Sequence, residues 1–468
     1  MMQKEPRSDE KTISSLLQHF SGDVLLPHHS GYEKARRVWN AMIDRSPPAI
    51  VRPQNVEDVK AVVRFAADQD MLVSIRGGGH NVAGGAVADD ALMIDMSQMN
   101  HIEVDPEAQT AKVGPGTTWA DVDAATQEYG LATPNGLVST TGVAGLTLGG
   151  GFGRLSRMWG LSADNLLRAE VVTADGRLVV ASEEENTDLL WGLRGGGGNF
   201  GIVTSFEFQL HEVGPQLLAG PIFYPFDDAR DILRKAVDFA VEAPRECFVA
   251  MVCLTAPPAP FLPEHIHGKK IVIINPTFIG PIEEGQKILA PLRNLANPVA
   301  DLLQPTEYTA IQSLLDEQYA AGMRNYWKSH NYTSLNDEVI DIIVDLASHF
   351  PSPESDILVT HLGGAINDVA PEATAYFHRD AEFNVALGAR WQDPEDDQEC
   401  LQWARQGHSR LAPHGTGGTY VNFIADAGNQ VDVAFGANYP RLVQLKTKYD
   451  PHNLFQINQN IVPSETEG

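Results

Sequence analysis

Residues 75–85 read Ile-Arg-Gly-Gly-Gly-His-Asn-Val-Ala-Gly-Gly and follow directly on the apolar run Met71-Leu72-Val73-Ser74. Residues 71–75 read as a short buried strand that ends in a glycine-rich turn. Gly77, Gly78 and Gly79 carry no Cβ, so the backbone there can approach a ligand closely and aim successive N–H groups at it. A concave row of donors binds anions, and a pyrophosphate is the commonest anion presented this way. Arg76 adds a permanent positive charge, and His80 projects from the turn where it can meet the rest of a phosphate-bearing ligand. A glycine motif is weak evidence without context, so the flanking chain decides the reading.

Upstream, Ile50-Val51-Arg52-Pro53 is a short strand stopped by proline. A helix follows, with Asn55 as its cap and Val56, Val59, Val62, Val63 and Ala66 on one face. Strand, helix, strand and glycine turn make a small α/β unit. Residues 11–45 suggest two amphipathic helices around the break Pro27 to Gly31. Downstream come strands at Leu92–Asp95, Ile102–Val104 and Thr110–Val113, and a helix from Trp119 to Tyr129. A hairpin spans Glu170–Thr173 and Leu178–Ala181, and Gly201–Leu210 alternates as a strand. After Leu210 prolines multiply, and longer helices alternate with aromatic strands to about residue 413. Tyr420–Phe423 then reads as a strand and 439–449 as a helix.

Two further glycine-rich stretches lie in the amino-terminal half. Residues 140–153 interleave glycines with Val143, Leu146, Leu148 and Phe152, unlike a Ser/Gly linker. Residues 196–201 match G-x-G-x-x-G in form, but a strand follows instead of a helix, so a nicotinamide-type Rossmann site is not supported. Three glycine loops without a Walker sequence point to one elongated ligand, which suits a dinucleotide better than a nucleoside triphosphate.

The composition is that of a globular protein. The 468 residues are 43% hydrophobic and 20% charged, with room for two or three domains. Lys and Arg number 34 against 61 Asp and Glu, a net charge of −27, which argues against nucleic acid or an anionic membrane as partner. Three cysteines without a CxxC pair fit a reducing compartment and give no metal signature. The polar start, Met1–Glu10, lacks a signal-peptide core, and no apolar stretch is long enough to span a bilayer, so the expected location is cytoplasmic.

Arg76–Asn81, Gly142-Val143-Ala144-Gly145-Leu146, Gly149–Gly153, Trp159–Asn165, Arg194–Gly201 and the ending Tyr449–Ile461 occur in this order. Together they resemble the berberine bridge enzyme-like FAD-linked oxidases of the vanillyl-alcohol oxidase (PCMH-type FAD-binding) superfamily. The resemblance covers nearly the whole chain. It implies an α+β fold with a two-part FAD-binding domain and a separate substrate domain of antiparallel sheet covered by helices. The corresponding division is 1–213 (core 46–213), then 214–413, with 414–468 returning to the FAD domain.

The resemblance further implies that FAD meets Arg76, Gly77, Gly78, Gly79, His80, Asn81, Gly85 and Pro115. It adds Thr140, Thr141, Gly142, Gly145, Leu146, Gly149, Gly150, Gly151, Gly153, Asp164, Asn165, Gly201, Ile202, Val203, Asn458 and Asn460. His80 would be joined through a ring nitrogen to the flavin 8α-methyl, since neutral imidazole is a nucleophile and a tether raises the flavin potential. Many relatives attach the ring a second time through cysteine. Val138 stands at that position, so attachment through His80 only is expected, as in the bacterial mono-covalent members.

Thr141 matches the position that gates oxygen, read either as a hydroxyl beside the oxygen site or as a near-isostere of valine. On the substrate side Tyr326 shares a strand face with Lys328, His361 begins another strand, and Tyr420 shares a face with Asn422. Each of Tyr326, His361, Tyr420 and Asn422 is a candidate to bind or deprotonate substrate. The family's usual glutamate base has no counterpart in Phe383–Gly388, which carries no carboxylate. The implied activity is oxidation of a small aromatic, alkaloid-like or polyketide-like molecule by hydride transfer to flavin N5, with O2 giving H2O2. The alternatives are an oxygenase or cyclase using a flavin–oxygen adduct, a dehydrogenase with another acceptor, and a non-catalytic flavin-binding protein.

Overall fold

The computed structural model describes residues 20–426 and 431–464. Asn55 opens the helix Val56–Asp68 by accepting the Asp58 N–H at 3.0 Å, and Val59, Val62, Val63 and Ala66 are buried on one face. That helix packs on a four-stranded sheet ordered Asp23–Leu25, Ile50–Arg52, Ala91–Asp95, Leu72–Arg76, with parallel pairing on both sides of Ala91–Asp95. The strand before the glycine turn is Leu72–Arg76. A second sheet of five antiparallel strands runs Ile102–Asp105, Thr110–Val113, Ile202–Gln209, Leu166–Val172, Leu178–Ser182. Phe206, Phe208 and Trp119 fill its core.

Residues 216–391 contribute the largest sheet, of nine strands among the described residues. Its antiparallel centre runs Lys270–Phe278, Cys247–Thr255, Asp356–His361, Phe383–Trp391, Arg324–Tyr332. The amphipathic helices Ala229–Glu242, Asp337–Ser348 and Asp397–Leu411 bury their apolar stripes on one face. The opposite face looks back at the glycine loops. The architecture is α+β, as expected. No helix among the described residues is long and apolar enough to cross a membrane.

Two local expectations are corrected. Residues 11–19 lie outside the described residues, and 20–45 form the strand Asp23–Leu25 and a single helical turn, Tyr32–Ala35, instead of two amphipathic helices. Tertiary partners take the backbone groups a helix would need: Trp39 N–H donates to Gly79 O, Ala41 N–H to Met323 O, and Gly322 N–H to Trp39 O. Tyr420–Phe423 is not a strand. Val421–Phe423 is one turn of 3₁₀ helix, closed by the Phe423 N–H donating to Tyr420 O at 2.9 Å. The helix Tyr439–Tyr449 falls where the sequence places it.

Candidate active site

The turn after Leu72–Arg76 brings Gly77–Asn81 against the loop that carries Thr141 and Gly142. A Cβ on Gly78 would lie 2.5 Å from Gly142 Cα, so two glycine loops meet backbone to backbone. Gly79 has φ +69°, where a side chain is strained. Around this contact lies a cavity of about 500 Å³ whose walls come from both halves of the molecule. One wall holds Gly77, Gly78, Gly79, His80, Asn81, Gly85, Pro115, Thr141, Gly142, Gly145, Leu146, Gly149, Gly201, Ile202 and Val203. The tail supplies Asn458 and Gln459, and Val138 also faces in.

The opposing wall is the large sheet. Trp327, Leu358, Ala386, Gly388 and Asp356 line it, with Leu315 and Tyr319 from the segment before the Arg324–Tyr332 strand. Tyr420, Asn422, Phe423 and Phe152 close the side between the walls. Asn422 Nδ2 donates to Tyr420 Oη at 2.8 Å, and the Gly151 N–H donates to the same oxygen at 3.0 Å. With its lone pairs engaged, Tyr420 faces a cavity ligand as a donor. Tyr420 and Asn422 are thus brought together by a turn, not by a shared strand face.

His80 is half-buried, and its ring stacks on Trp39 with centroids 4.4 Å apart. Burial pushes the imidazole pKa down to about 4, so it is neutral at physiological pH. Its Nε2 has no hydrogen-bond partner among the described residues, and neither do Asn458 Oδ1, Gln459 Oε1 and Asn460 Oδ1.

The remaining expected residues stand off the cavity. Arg76 adds no free charge: its guanidinium pairs with Asp95 (Nε to Oδ1, 3.1 Å) and donates to backbone carbonyls. Asp164 accepts both Arg379 terminal nitrogens at 2.7 Å, and Asn165 Oδ1 meets His211 Nε2 at 2.7 Å. Gly150, Gly151 and Gly153 pack against Tyr376, Leu146 and the Asn135 carbonyl, Thr140 is exposed, and Asn460 lies just beyond the lining.

Tyr326 and His361 are corrected as cavity groups. Strand alternation turns Tyr326 and Lys328 to the helix side, where the Tyr326 hydroxyl donates to Asp426 and accepts from Arg405 Nε at 3.0 Å. Trp327 faces the cavity in their place. His361 ends the strand Asp356–His361 instead of beginning one; it alternates away likewise and stacks on Phe383, centroids 5.4 Å apart.

Sequence reasoning missed Asp356, Tyr319 and Trp327. Asp356 begins the strand Asp356–His361, and period-2 alternation from it would have given Leu358 and Thr360 as its companions on one face. The search for a carboxylate looked instead at the neighbouring strand, which offers the cavity Ala386 and Gly388.

With this geometry in place, relatives bear on it. A family described as an FAD binding domain matches residues 47–182, and one described as berberine and berberine like matches 419–462. An FAD-linked oxidoreductase of Dictyostelium discoideum is 31% identical over 96% of this chain and 97% of its own. The chain belongs to the berberine bridge enzyme-like FAD-linked oxidoreductases. An (R)-6-hydroxynicotine oxidase of Paenarthrobacter nicotinovorans is 29% identical over 94% of this chain and 97% of its own. A crystal structure of 6-hydroxy-D-nicotine oxidase from Arthrobacter nicotinovorans superposes with a TM-score of 0.86 at 28% identity, covering 95% of this chain and 98% of that one.

The residues of this FAD-linked oxidoreductase fit the cofactor. Backbone-on-backbone glycine loops leave room for a close approach of the dinucleotide. The unpartnered polar atoms of His80, Asn458 and Gln459 gather at the cavity, as a ring edged with nitrogens and oxygens requires.

Proposed function

We propose that this FAD-linked oxidoreductase oxidises a small aromatic, alkaloid-like or polyketide-like molecule, with O2 as acceptor and H2O2 as product. One observation carries the reading: a single cavity joins the glycine loops and His80 on one wall to an apolar sheet face with a buried carboxylate on the other. Bound there, FAD supplies a hydride acceptor at N5 and reactivity toward O2. The glycine loops hold its phosphates, the Asn458–Gln459 tail and the Thr141–Gly149 loop orient its ring, and the sheet wall excludes water from the face that meets substrate. His80 tethers the ring, because a neutral imidazole with an unpartnered Nε2 is a competent nucleophile. Val138 at the cavity wall leaves this as the one tether.

In this reading residues 1–213 and 414–468 serve the cofactor and 214–413 the substrate. The three cysteines are buried and unpaired among the described residues, which suits a cytoplasmic setting. A second reading rests on Thr141, whose hydroxyl at the cavity could hold oxygen for an oxygenating or cyclising reaction.

The test is a panel of aromatic alcohols and amines, beginning with (R)-6-hydroxynicotine, incubated with the holoprotein while flavin bleaching and peroxide are followed. Bleaching under nitrogen and one H2O2 per product under air are expected. Isotopic oxygen from O2 in the product would replace this reading with the oxygenase. A flavin that no compound bleaches and that stays reduced in air would favour a non-catalytic flavoprotein.

A further inference from the structure

Strand register places Trp327, Gly388 and Asp356 abreast on three adjacent strands: Gly388 pairs with Trp327 on one side and with Asp356 on the other. Two strand spacings separate the outer Cα atoms by roughly 10 Å. Between them Gly388 offers no side chain, and the Asp356 carboxylate leans into the space this leaves, since a Cβ on Gly388 would lie 2.8 Å from its Oδ1. Tyr319 touches both, donating its hydroxyl to Asp356 Oδ2 at 2.9 Å while its ring meets Trp327 edge-on at 6.0 Å. Among the described residues, Asp356 is the one carboxylate that lines the cavity. The Trp327 Nε1–H is buried without a partner among them.

We propose that Asp356 is the proton acceptor of the oxidation and that the substrate is a flat aromatic molecule bearing an O–H, seated on the cavity side of Trp327 and Asp356. The assignment rests on the flavin oxidase reading above. It lies on the strand beside the one where the family's glutamate is expected, and it answers the missing base. An indole beside a carboxylate on one cavity wall suits a planar ring with a polar edge, and the two polar groups match one hydroxyl: the Trp327 N–H donates to its oxygen and Asp356 accepts its hydrogen. In the step, the O–H bond breaks and its proton goes to Asp356. The C–H bond breaks with its electron pair, which leaves as hydride to the FAD acting as oxidant, and the C–O bond becomes C=O. Reoxidation by O2 returns both hydrogens as H2O2.

The surroundings suit the role. Burial raises the Asp356 pKa to about 6, opposed by the positive charge of Arg390, the Tyr319 hydrogen bond and the Gln318 side chain. Cys253, from the strand on the other side, has its thiol pushed up to about 12 and stays neutral. A base that titrates near neutrality accepts a proton without binding it irreversibly.

Phenol and anisole are the probes, because phenol stays uncharged from pH 5 to 8 and anisole lacks the hydroxyl. Binding to the flavin-loaded protein is read by calorimetry. Phenol should tighten about tenfold from pH 5 to 8 with a midpoint near 6, as an ionised acceptor replaces a protonated one, while anisole stays flat. Asp356→Asn should abolish the pH dependence. Tyr319→Phe should move the midpoint upward by removing a hydrogen bond to the charged form, and it tests the assignment even if Asp356→Asn does not fold. A yellow protein with pH-independent phenol binding overturns the role of Asp356, as does a Tyr319→Phe midpoint that does not move. Benzylamine binding more tightly than phenol at pH 8 overturns the O–H substrate in favour of a cationic one. A colourless protein fails the flavin reading instead, and colour is read before the titration.

Discussion

Asp123 does not line the cavity and still shapes how this protein responds to pH. Asn135 Nδ2 donates to both its oxygens at 3.0 Å, and Tyr308 Oη donates to Oδ1 at 3.3 Å. Burial outweighs these bonds and pushes the carboxyl up to about 8. A carboxyl whose pKa is higher folded than unfolded holds extra protons in the folded state. Its stabilisation is therefore full below the unfolded pKa and is lost as pH rises through the folded one. His80, lowered from 6.5 to about 4, acts with the opposite sign: its contribution is lost as pH falls from 6.5 toward 4. The window from pH 6.5 to 8 thus isolates Asp123 from His80. Calorimetric Tm should fall across that window in the wild type and fall less in Asp123→Asn; equal slopes would remove Asp123 as the cause.

At the scale of elements, two glycine loops and one tail build the cofactor wall. Gly78→Ala places a methyl 2.5 Å from the Gly142 backbone, which cannot yield as a side chain could. Flavin content per protein, read from visible absorbance, should drop sharply; undiminished colour would contradict the loop contact. The tail depends on Lys446, whose buried Nζ donates to Asp450 Oδ2 at 2.6 Å, Asn199 O at 3.0 Å and Phe455 O at 2.9 Å. Asp450 in turn accepts the Leu454 and Phe455 N–H groups and sets the course toward Asn458. Lys446→Met strands the Asp450 charge, so denaturant titration should show a loss of about 3–5 kcal/mol. A loss under about 1 kcal/mol would show that the pair does not hold the tail.

These elements also show what the chain's own letters reveal. The helix Val56–Asp68 and the strands before and after it were legible because cap, periodicity and apolar run agree locally. The glycine loops and His80 were legible because few other backbones need so many missing Cβ atoms in that order. Residues 20–45 were not, since their backbone groups pair with Gly79 and Met323, which no local pattern announces. Tyr326 was chosen over Trp327 because alternation says which residues share a face but not which face looks inward.

At the scale of the molecule, the cavity lies between two bodies that Asn40 helps to clamp. Its Nδ2 donates to Val82 O at 2.8 Å and to Asn325 O at 2.9 Å, and its Oδ1 accepts the Asn325 N–H at 2.9 Å. A cofactor seated between the bodies and bound by the folded state only must stabilise both together. In His80→Ala, where binding is reversible, FAD at a hundred times its Kd should add about 2.7 kcal/mol and raise Tm with concentration. A Tm indifferent to FAD would show that the folded variant does not bind it.

FAD seated in this cavity and tethered through His80 must stay with the protein when acid unfolds it. Acid precipitation of the purified protein, followed by washing and a spectrum of the pellet, tests it most directly. The wild-type pellet should be yellow, and the His80→Ala pellet colourless with its flavin in the supernatant. A colourless wild-type pellet would contradict the tether, and flavin absent from pellet and supernatant alike would contradict FAD binding itself.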